Sequence, residues 1–178
     1  MFVAFLVADL LVFLWWRYEK ERKYDAQITA AAARYHVDPA LIKAVIWQES
    51  RFDAQARGGA GEIGLMQVRE DAALEWANSE RLRAFTKTEL FNPTKNVMAG
   101  TFYLTKLLKR YRKTDNPLPY ALADYNAGRG NVLRWNKGEG STNSGVFLTQ
   151  IDFPTTKLYA ESVIRRFRHY QGQIKQPS

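Results

Sequence analysis

Twice in this 178-residue chain, an Asx-Pro pair stands directly before a stretch whose apolar residues recur every three or four positions. The pairs are Asp38-Pro39 and Asn92-Pro93. An Asx side chain at the N-cap accepts from the first free backbone N–H groups, and Pro suits the first helical position because its missing N–H is not needed there. The pattern predicts a helix from Pro39 to about Ser50 and another from Pro93 to about Arg112. In the second, Val97, Leu104, Leu108 and Tyr111, with Thr101 between them, form an apolar stripe, and Gly100 points to a close helix approach. Shorter helices fit Ala26 to Tyr35, Leu65 to Ala77, Leu118 to Ala127 and Thr155 to Gln171. Loops rich in Gly, Ser and Asn cover Arg57 to Gly61 and Gly138 to Gly145. Almost nothing alternates with a period of two, so the chain reads as mainly α: one helical domain over 24–172 with a tail at 173–178.

Ahead of that domain, residues 1–23 form an apolar segment with a basic flank. Phe2 to Trp16 is apolar except for Asp9, and Arg17 to Lys23 is strongly charged. Fifteen helical residues span only about 22 Å against a hydrocarbon core of about 30 Å. The reading is a short apolar helix that anchors the chain at a membrane through residues 2–16, with Trp15, Trp16 and Tyr18 as interfacial aromatics. It lacks the basic start and small-residue exit of a cleaved signal peptide. Arg17, Lys20, Arg22 and Lys23 follow the apolar run, an order that by the positive-inside rule holds the rest of the chain in the cytoplasm.

With 46% hydrophobic and 25% charged residues, the chain is globular rather than disordered. Twenty-six Lys and Arg against 18 Asp and Glu give a formal +8 and a pI near 9.7, which suits an acidic partner: nucleic acid, an anionic lipid face or a cell-wall polymer. The basicity belongs to the domain, since residues 1–23 hold only four basic and three acidic side chains. Zero cysteines exclude disulfides, thiolate metal sites and a Cys nucleophile, and two histidines are too few for most metal sites or a Ser-His-Asp triad. No metal and no cofactor are expected.

Chemistry concentrates at Glu49. On the helix from Pro39, Leu41, Ile42, Val45 and Ile46 make the core stripe, and Glu49 follows Val45 by four and Ile46 by three, so its carboxylate points along the apolar face. Burial there raises a carboxyl pKa toward the value a general acid needs near neutral pH. The alternative is a helix-end Glu that reaches solvent or pairs with Arg51 or Lys43. Gly59 to Gly64 reads G-x-G-x-x-G, yet it follows a helix where a dinucleotide loop must follow a strand, and no Gly-Lys-Ser/Thr ends it as in a P-loop. Gly64-Leu65-Met66-Gln67 and Tyr125-Asn126-Ala127-Gly128 are further clusters mixing amide, aromatic and Gly. Separately, Met66 is a core residue and Asn126 a helix cap. Together with the acid they read as the lining of a groove for a hydroxyl- and amide-rich polymer.

Five motifs carry a family resemblance: Glu49-Ser50-x-Phe52, Gly61-x-x-Gly64-Leu65-Met66-Gln67, Asn92-Pro93-x-x-Asn96, Ala121 to Gly128, and Phe153-Pro154-x-Thr156-Lys157-x-Tyr159. In order and spacing they resemble the SLT-type lytic transglycosylases, lysozyme-like enzymes related to goose-type lysozyme, over roughly Ala26 to Tyr170. The resemblance implies a lysozyme-like helical fold with a substrate groove, and Glu49 as the single catalytic residue. As acid it protonates the bond between N-acetylmuramic acid and N-acetylglucosamine; as base it activates the 6-hydroxyl of the same muramic acid, leaving a 1,6-anhydro end. Ser50, Met66, Gln67, Tyr125, Asn126 and Tyr159 match positions that bind substrate. The implied partner is the peptidoglycan glycan strand, with any recruiting protein unidentified, and the implied location is the periplasmic side of a bacterial envelope. That location conflicts with the basic flank unless an upstream segment or a secretion apparatus exports the domain.

Departures from the family pattern are Gly58 where Ser is usual, Glu62 where a small residue is usual, Glu70 for a common Pro, and Thr155 and Lys157 before Tyr159. Glu62 reads either as a solvated loop residue or as a second carboxylate that favours hydrolysis. Rival functions are therefore a hydrolytic muramidase and a non-catalytic glycan-binding module. A DNA-binding reading of the basic runs at Lys106 to Lys113 and Arg165 to Arg168 leaves the groove motifs without a purpose, so nucleic acid is not an expected partner.

Overall fold

The computed structural model describes the backbone of residues 2–174 and the side chains of residue 7 and of residues 9–173. The helices run α1 (Phe2–Arg22), α2 (Asp25–Tyr35), α3 (Pro39–Ser50), α4 (Glu70–Ser79), α5 (Pro93–Arg110), α6 (Pro117–Ala127), α7 (Arg129–Trp135), α8 (Ser144–Gln150) and α9 (Pro154–Ile174). Short 3-10 turns lie at Lys87–Phe91 and Gly138–Ser141. Among the described residues there is no strand, only two isolated bridges, Arg57 with Ile63 and Ile63 with Val68.

Both Asx-Pro starts behave as their chemistry requires. Asp38 Oδ1 accepts from Ala40 N at 2.9 Å, and Asn92 Oδ1 accepts from Lys95 N at 3.1 Å. A third pair, Asn116-Pro117, opens α6 with Leu118 N donating to Asn116 Oδ1 at 3.1 Å. The core forms where α9 packs along α3 and α6, with α5 against α2, α4 and α6. Leu41, Ile42, Val45 and Ile46 are all buried in it, as the stripe requires. On α5 the buried stripe is Val97, Thr101, Leu104 and Leu107, while Leu108 is only half-buried. A second cluster stacks Tyr120 on Phe147 with ring centroids 4.0 Å apart.

The structure corrects two expectations. Residues Leu65 to Arg69 are not the start of a helix; they form a tight loop, and α4 begins at Glu70. Gly64 and Gln67 take left-handed φ values of 76° and 46°, which end any helix, and Ile63 and Val68 exchange backbone hydrogen bonds of 3.1 and 3.0 Å that close the loop. Nor is Gly100 a contact between helices. A Cβ there would stand 2.6 Å from Met66 Sδ and 2.7 Å from Met66 Cβ, so the glycine leaves the notch that receives the loop.

Asn96 holds that loop in place. It is fully buried on α5, accepts from Met66 N at 2.8 Å, and donates to the carbonyls of Ile63 at 2.7 Å and Leu90 at 2.9 Å. A Cβ at Gly64 would overlap Asn96 Nδ2 and stand 2.8 Å from the Leu90 oxygen, so position 64 has no room for a side chain.

At the N-terminus, α1 carries the apolar run and the basic flank in one helix. Its residues Leu10 to Trp16 are exposed around the whole circumference. Tyr170 donates to Glu21 Oε2 at 2.9 Å, joining the base of α1 to α9. No helix among the described residues is long and apolar enough to cross a membrane. At the other end α9 continues to Ile174, and the rest of the tail expected at 173–178 lies outside the described residues.

Asn96→Ala removes three buried hydrogen bonds and leaves their backbone partners unpaired, so it should lower stability by about 3 kcal/mol. A urea titration followed by circular dichroism measures this, with the loss read from the midpoint at constant slope.

Candidate active site

Helix α3 ends abruptly just past Glu49. Arg51 and Phe52 are both left-handed, with φ of 52° and 62°, and Arg51 N closes onto the Trp47 carbonyl. Glu49 therefore sits in the last turn, where a cavity of about 580 Å³ opens beside it. Its floor and walls include Glu49, Glu62, Gln67, Tyr103, Tyr125 and Asn126.

Burial pushes the Glu49 carboxyl up to about 7 from its ordinary 4.5, with the nearby Glu62 charge adding to the rise. A hydrogen bond from Tyr159, whose hydroxyl donates to Glu49 Oε1 at 2.5 Å, opposes it. No lysine or arginine among the described residues pairs with Glu49, so the pairing with Arg51 or Lys43 is set aside. Lys43 instead bonds Asp25 at 2.6 Å, and Arg51 lies on the Trp47 ring, 3.1 Å from its centroid. The carboxyl is left able to hold a proton near neutral pH and to release it, which a general acid and base must do.

The other residues singled out in the sequence divide into two groups. Gln67, Tyr125 and Asn126 line the cavity with Glu49, whereas Ser50, Met66 and Tyr159 serve it from behind. Ser50 Oγ donates to the Leu65 carbonyl at 2.8 Å, fastening the loop to α3. Met66 is wholly buried in the Gly100 notch, so its side chain does not reach a ligand in the groove. Its carbonyl accepts from Tyr125 at 2.7 Å. Tyr159 is buried and reaches the site only through Glu49. Burial and the Glu49 charge hold both tyrosine hydroxyls well above their ordinary pKa, so they remain donors.

Two amides are oriented by their partners. Gln67 Nε2 donates to the Gly64 carbonyl at 2.9 Å, which leaves Oε1 as an acceptor. Asn126 Oδ1 accepts from Thr156 at 2.8 Å, which leaves the Nδ2 donors. One wall thus offers an acceptor and another a donor, the complement of an acetamido group's N–H and C=O. Gln67 adopts its left-handed backbone within the loop that Asn96 fixes, a strained conformation of the kind that gathers at functional sites.

Sequence reasoning missed Tyr103, Arg69 and Arg129 as cavity residues. Tyr103 lies against Tyr125 with centroids 5.6 Å apart, off the α5 stripe and so without a periodic signal. Among the basic runs, Lys106 bonds Glu75, Arg110 bonds the buried Asp124 at 2.6 Å, and Arg166 lies on Trp47. They are divided among separate partners.

The transglycosylase SLT domain family matches residues 26–147, a span that ends before Tyr159. A membrane-bound lytic murein transglycosylase C from Histophilus somni is 37% identical over 159 residues, covering 82% of this chain and 40% of that protein. A membrane-bound lytic murein transglycosylase F from Desulfosudis oleivorans is 36% identical over 118 residues, covering 65% of this chain and 24% of that protein. Among solved structures, an inactive mutant of the lytic transglycosylase Slt from Pseudomonas aeruginosa superposes with a TM-score of 0.78 at 26% identity, over 88% of this chain and 25% of that one. The 70 kDa soluble lytic transglycosylase from Escherichia coli gives 0.76 at 21% identity, over 86% of this chain and 25% of that one, a likeness of fold. The chain thus spans between a quarter and two fifths of the length of these relatives.

The raised Glu49 pKa has a consequence for stability. The fold holds this proton more tightly than the unfolded chain does, so its contribution is present below pH 4.5 and is lost as pH rises through about 7. Glu49→Gln, which never ionises, should melt a few degrees above the parent at pH 8 and at nearly the same temperature at pH 4.5 or below, as measured by thermal melts.

Proposed function

The chain belongs to the transglycosylase SLT domain family, and from that premise and the geometry of the groove we propose that it is a peptidoglycan lytic transglycosylase with Glu49 as its catalytic acid and base. The observation that supports this most is a carboxyl with a near-neutral pKa beside a cavity whose amides complement an acetamido group. Glu49 gives its proton to the oxygen between N-acetylmuramic acid and N-acetylglucosamine as the C1–O bond breaks. It then takes the proton of the muramic 6-hydroxyl as O6 bonds to C1, so no water is consumed and a 1,6-anhydro end forms. Tyr159 orients the carboxyl, Gln67 and Asn126 bind the sugar amide, and Tyr125 supplies an aromatic wall. Nothing in this sequence of steps requires a metal or a cofactor.

We further infer that the domain works at the bacterial envelope and associates with a membrane through residues 2–16. The exposed apolar surface around α1 supports this, since only a medium on all sides can cover a helix exposed around its circumference. Charge on the domain adds long-range attraction to an anionic wall.

Mass spectrometry of digested sacculi should show anhydro-muramic ends, and Glu49→Gln should lower release by at least about 1,000-fold while keeping sacculus binding. Reducing ends alone would make the protein a hydrolase, and binding without any release would make it a glycan-binding module. Deletion of residues 2–16 should move the protein from the membrane fraction to the soluble fraction on centrifugation of cell lysates.

A further inference from the structure

Gly58 is a glycine without a left-handed backbone, so conformation does not account for it. Space does. A Cβ built there would overlap Glu62 Oε2, stand 2.8 Å from Gln67 Oε1 and lie 3.0 Å from Glu62 Cβ. Each of the two acceptor oxygens is held from its own side, Glu62 Oε2 by Ala60 N at 3.0 Å and Gln67 by its bond to the Gly64 carbonyl. Both residues line the cavity with Glu49.

Among the described residues no lysine or arginine pairs with Glu62, and no side chain donates to Glu62 or to Gln67 Oε1. Apart from the Ala60 N–H on Glu62 Oε2, these neighbouring acceptors have only solvent to pair with while the groove is open. Once a ligand displaces that water, they become unpaired unless the ligand brings donors of its own. A carboxylate beside an amide oxygen therefore selects a ligand that presents two donors on neighbouring carbons. N-acetylglucosamine does so with its amide N–H and its adjacent 3-hydroxyl, whereas the O3 of N-acetylmuramic acid is an ether and has no proton to give.

We propose that Glu62 is a substrate-binding residue: through the space that Gly58 leaves open, its carboxylate and Gln67 Oε1 together receive the amide N–H and the 3-hydroxyl of an N-acetylglucosamine unit lying against Glu49. This rests on the glycan-cleaving reading above and names the group that recognises the sugar. The geometry also couples two positions, because a side chain at 58 and a carboxylate at 62 claim the same volume.

The test uses the full chain, with soluble glycan release from sacculi resolved into KM and kcat and with thermal melts as the folding control. Glu62→Ala should raise KM about tenfold with kcat within about threefold of the parent, the loss of one hydrogen bond to a charged group. Glu62→Gln, which keeps an acceptor oxygen, should return KM to within about threefold of the parent. Gly58→Ser should be impaired at least as much as Glu62→Ala. Adding Glu62→Ala to it should recover part of the loss, a non-additivity that two independent positions would not give. An unchanged KM in Glu62→Ala, or a double variant equal to the product of the single effects, overturns the proposal while the parent still releases fragments. A parent that releases none overturns the glycan-cleaving reading, and this one with it.

Discussion

The side-chain amide of Asn96 does for this groove what a strand ladder does in other folds. Residues Ile63 to Val68 form an irregular loop between helices, closed on itself by one pair of backbone bonds. Left to that closure, Met66 and Gln67 would have no fixed relation to α3 or α5. Asn96 supplies one acceptor and two donors and occupies the space at Gly64, so loop, 3-10 turn and α5 meet at one buried group. Met66 then enters the Gly100 notch, and Gln67 is carried into its left-handed turn with its amide oriented. A buried amide in this role is high-stakes, since a partly satisfied network is worse than an apolar core.

On the other side of the cavity the argument is electrostatic. Burial and the charge of Glu62 favour the protonated form of Glu49, and the Tyr159 hydroxyl favours the ionised one. The balance falls near neutrality because neither influence is extreme: the carboxyl retains some exposure, and one hydrogen bond opposes the burial. A site that must give and then regain a proton is served by such a compromise, whereas a fully buried, unpartnered acid holds its proton to well above neutral pH.

What the sequence made legible was local. Asp38 and Asn92 cap helices because capping involves residues two or three apart, and the α3 stripe placed Glu49 because a helix face repeats within four residues. Contacts between distant segments were beyond such rules. Leu65 to Arg69 fits a helical period when read with the residues up to Ala77, and the loop it forms depends on Asn96, 30 residues from Met66. Gly100 announced a close approach without naming Met66 as the partner. Leu107 is fully buried while Leu108 packs at the margin of the core, a difference that the stripe's spacing alone did not resolve. Tyr159 was singled out by resemblance, and its contact with Glu49 spans 110 residues of sequence. The Gly-rich stretch from Gly138 reads as loop by composition, yet it holds a 3-10 turn whose Gly140 carbonyl accepts from the buried Tyr120 at 2.8 Å.

The packing of α9 along α3 reaches beyond cohesion. Tyr159 is one of the residues by which α9 rests on α3, and the apolar surface between the two helices helps keep water from Glu49. A loosening of α9 therefore admits water, which lowers the Glu49 pKa, and withdraws the tyrosine, which raises it. Because the two effects oppose, the Glu49 titration reports their difference rather than the docking of α9 itself.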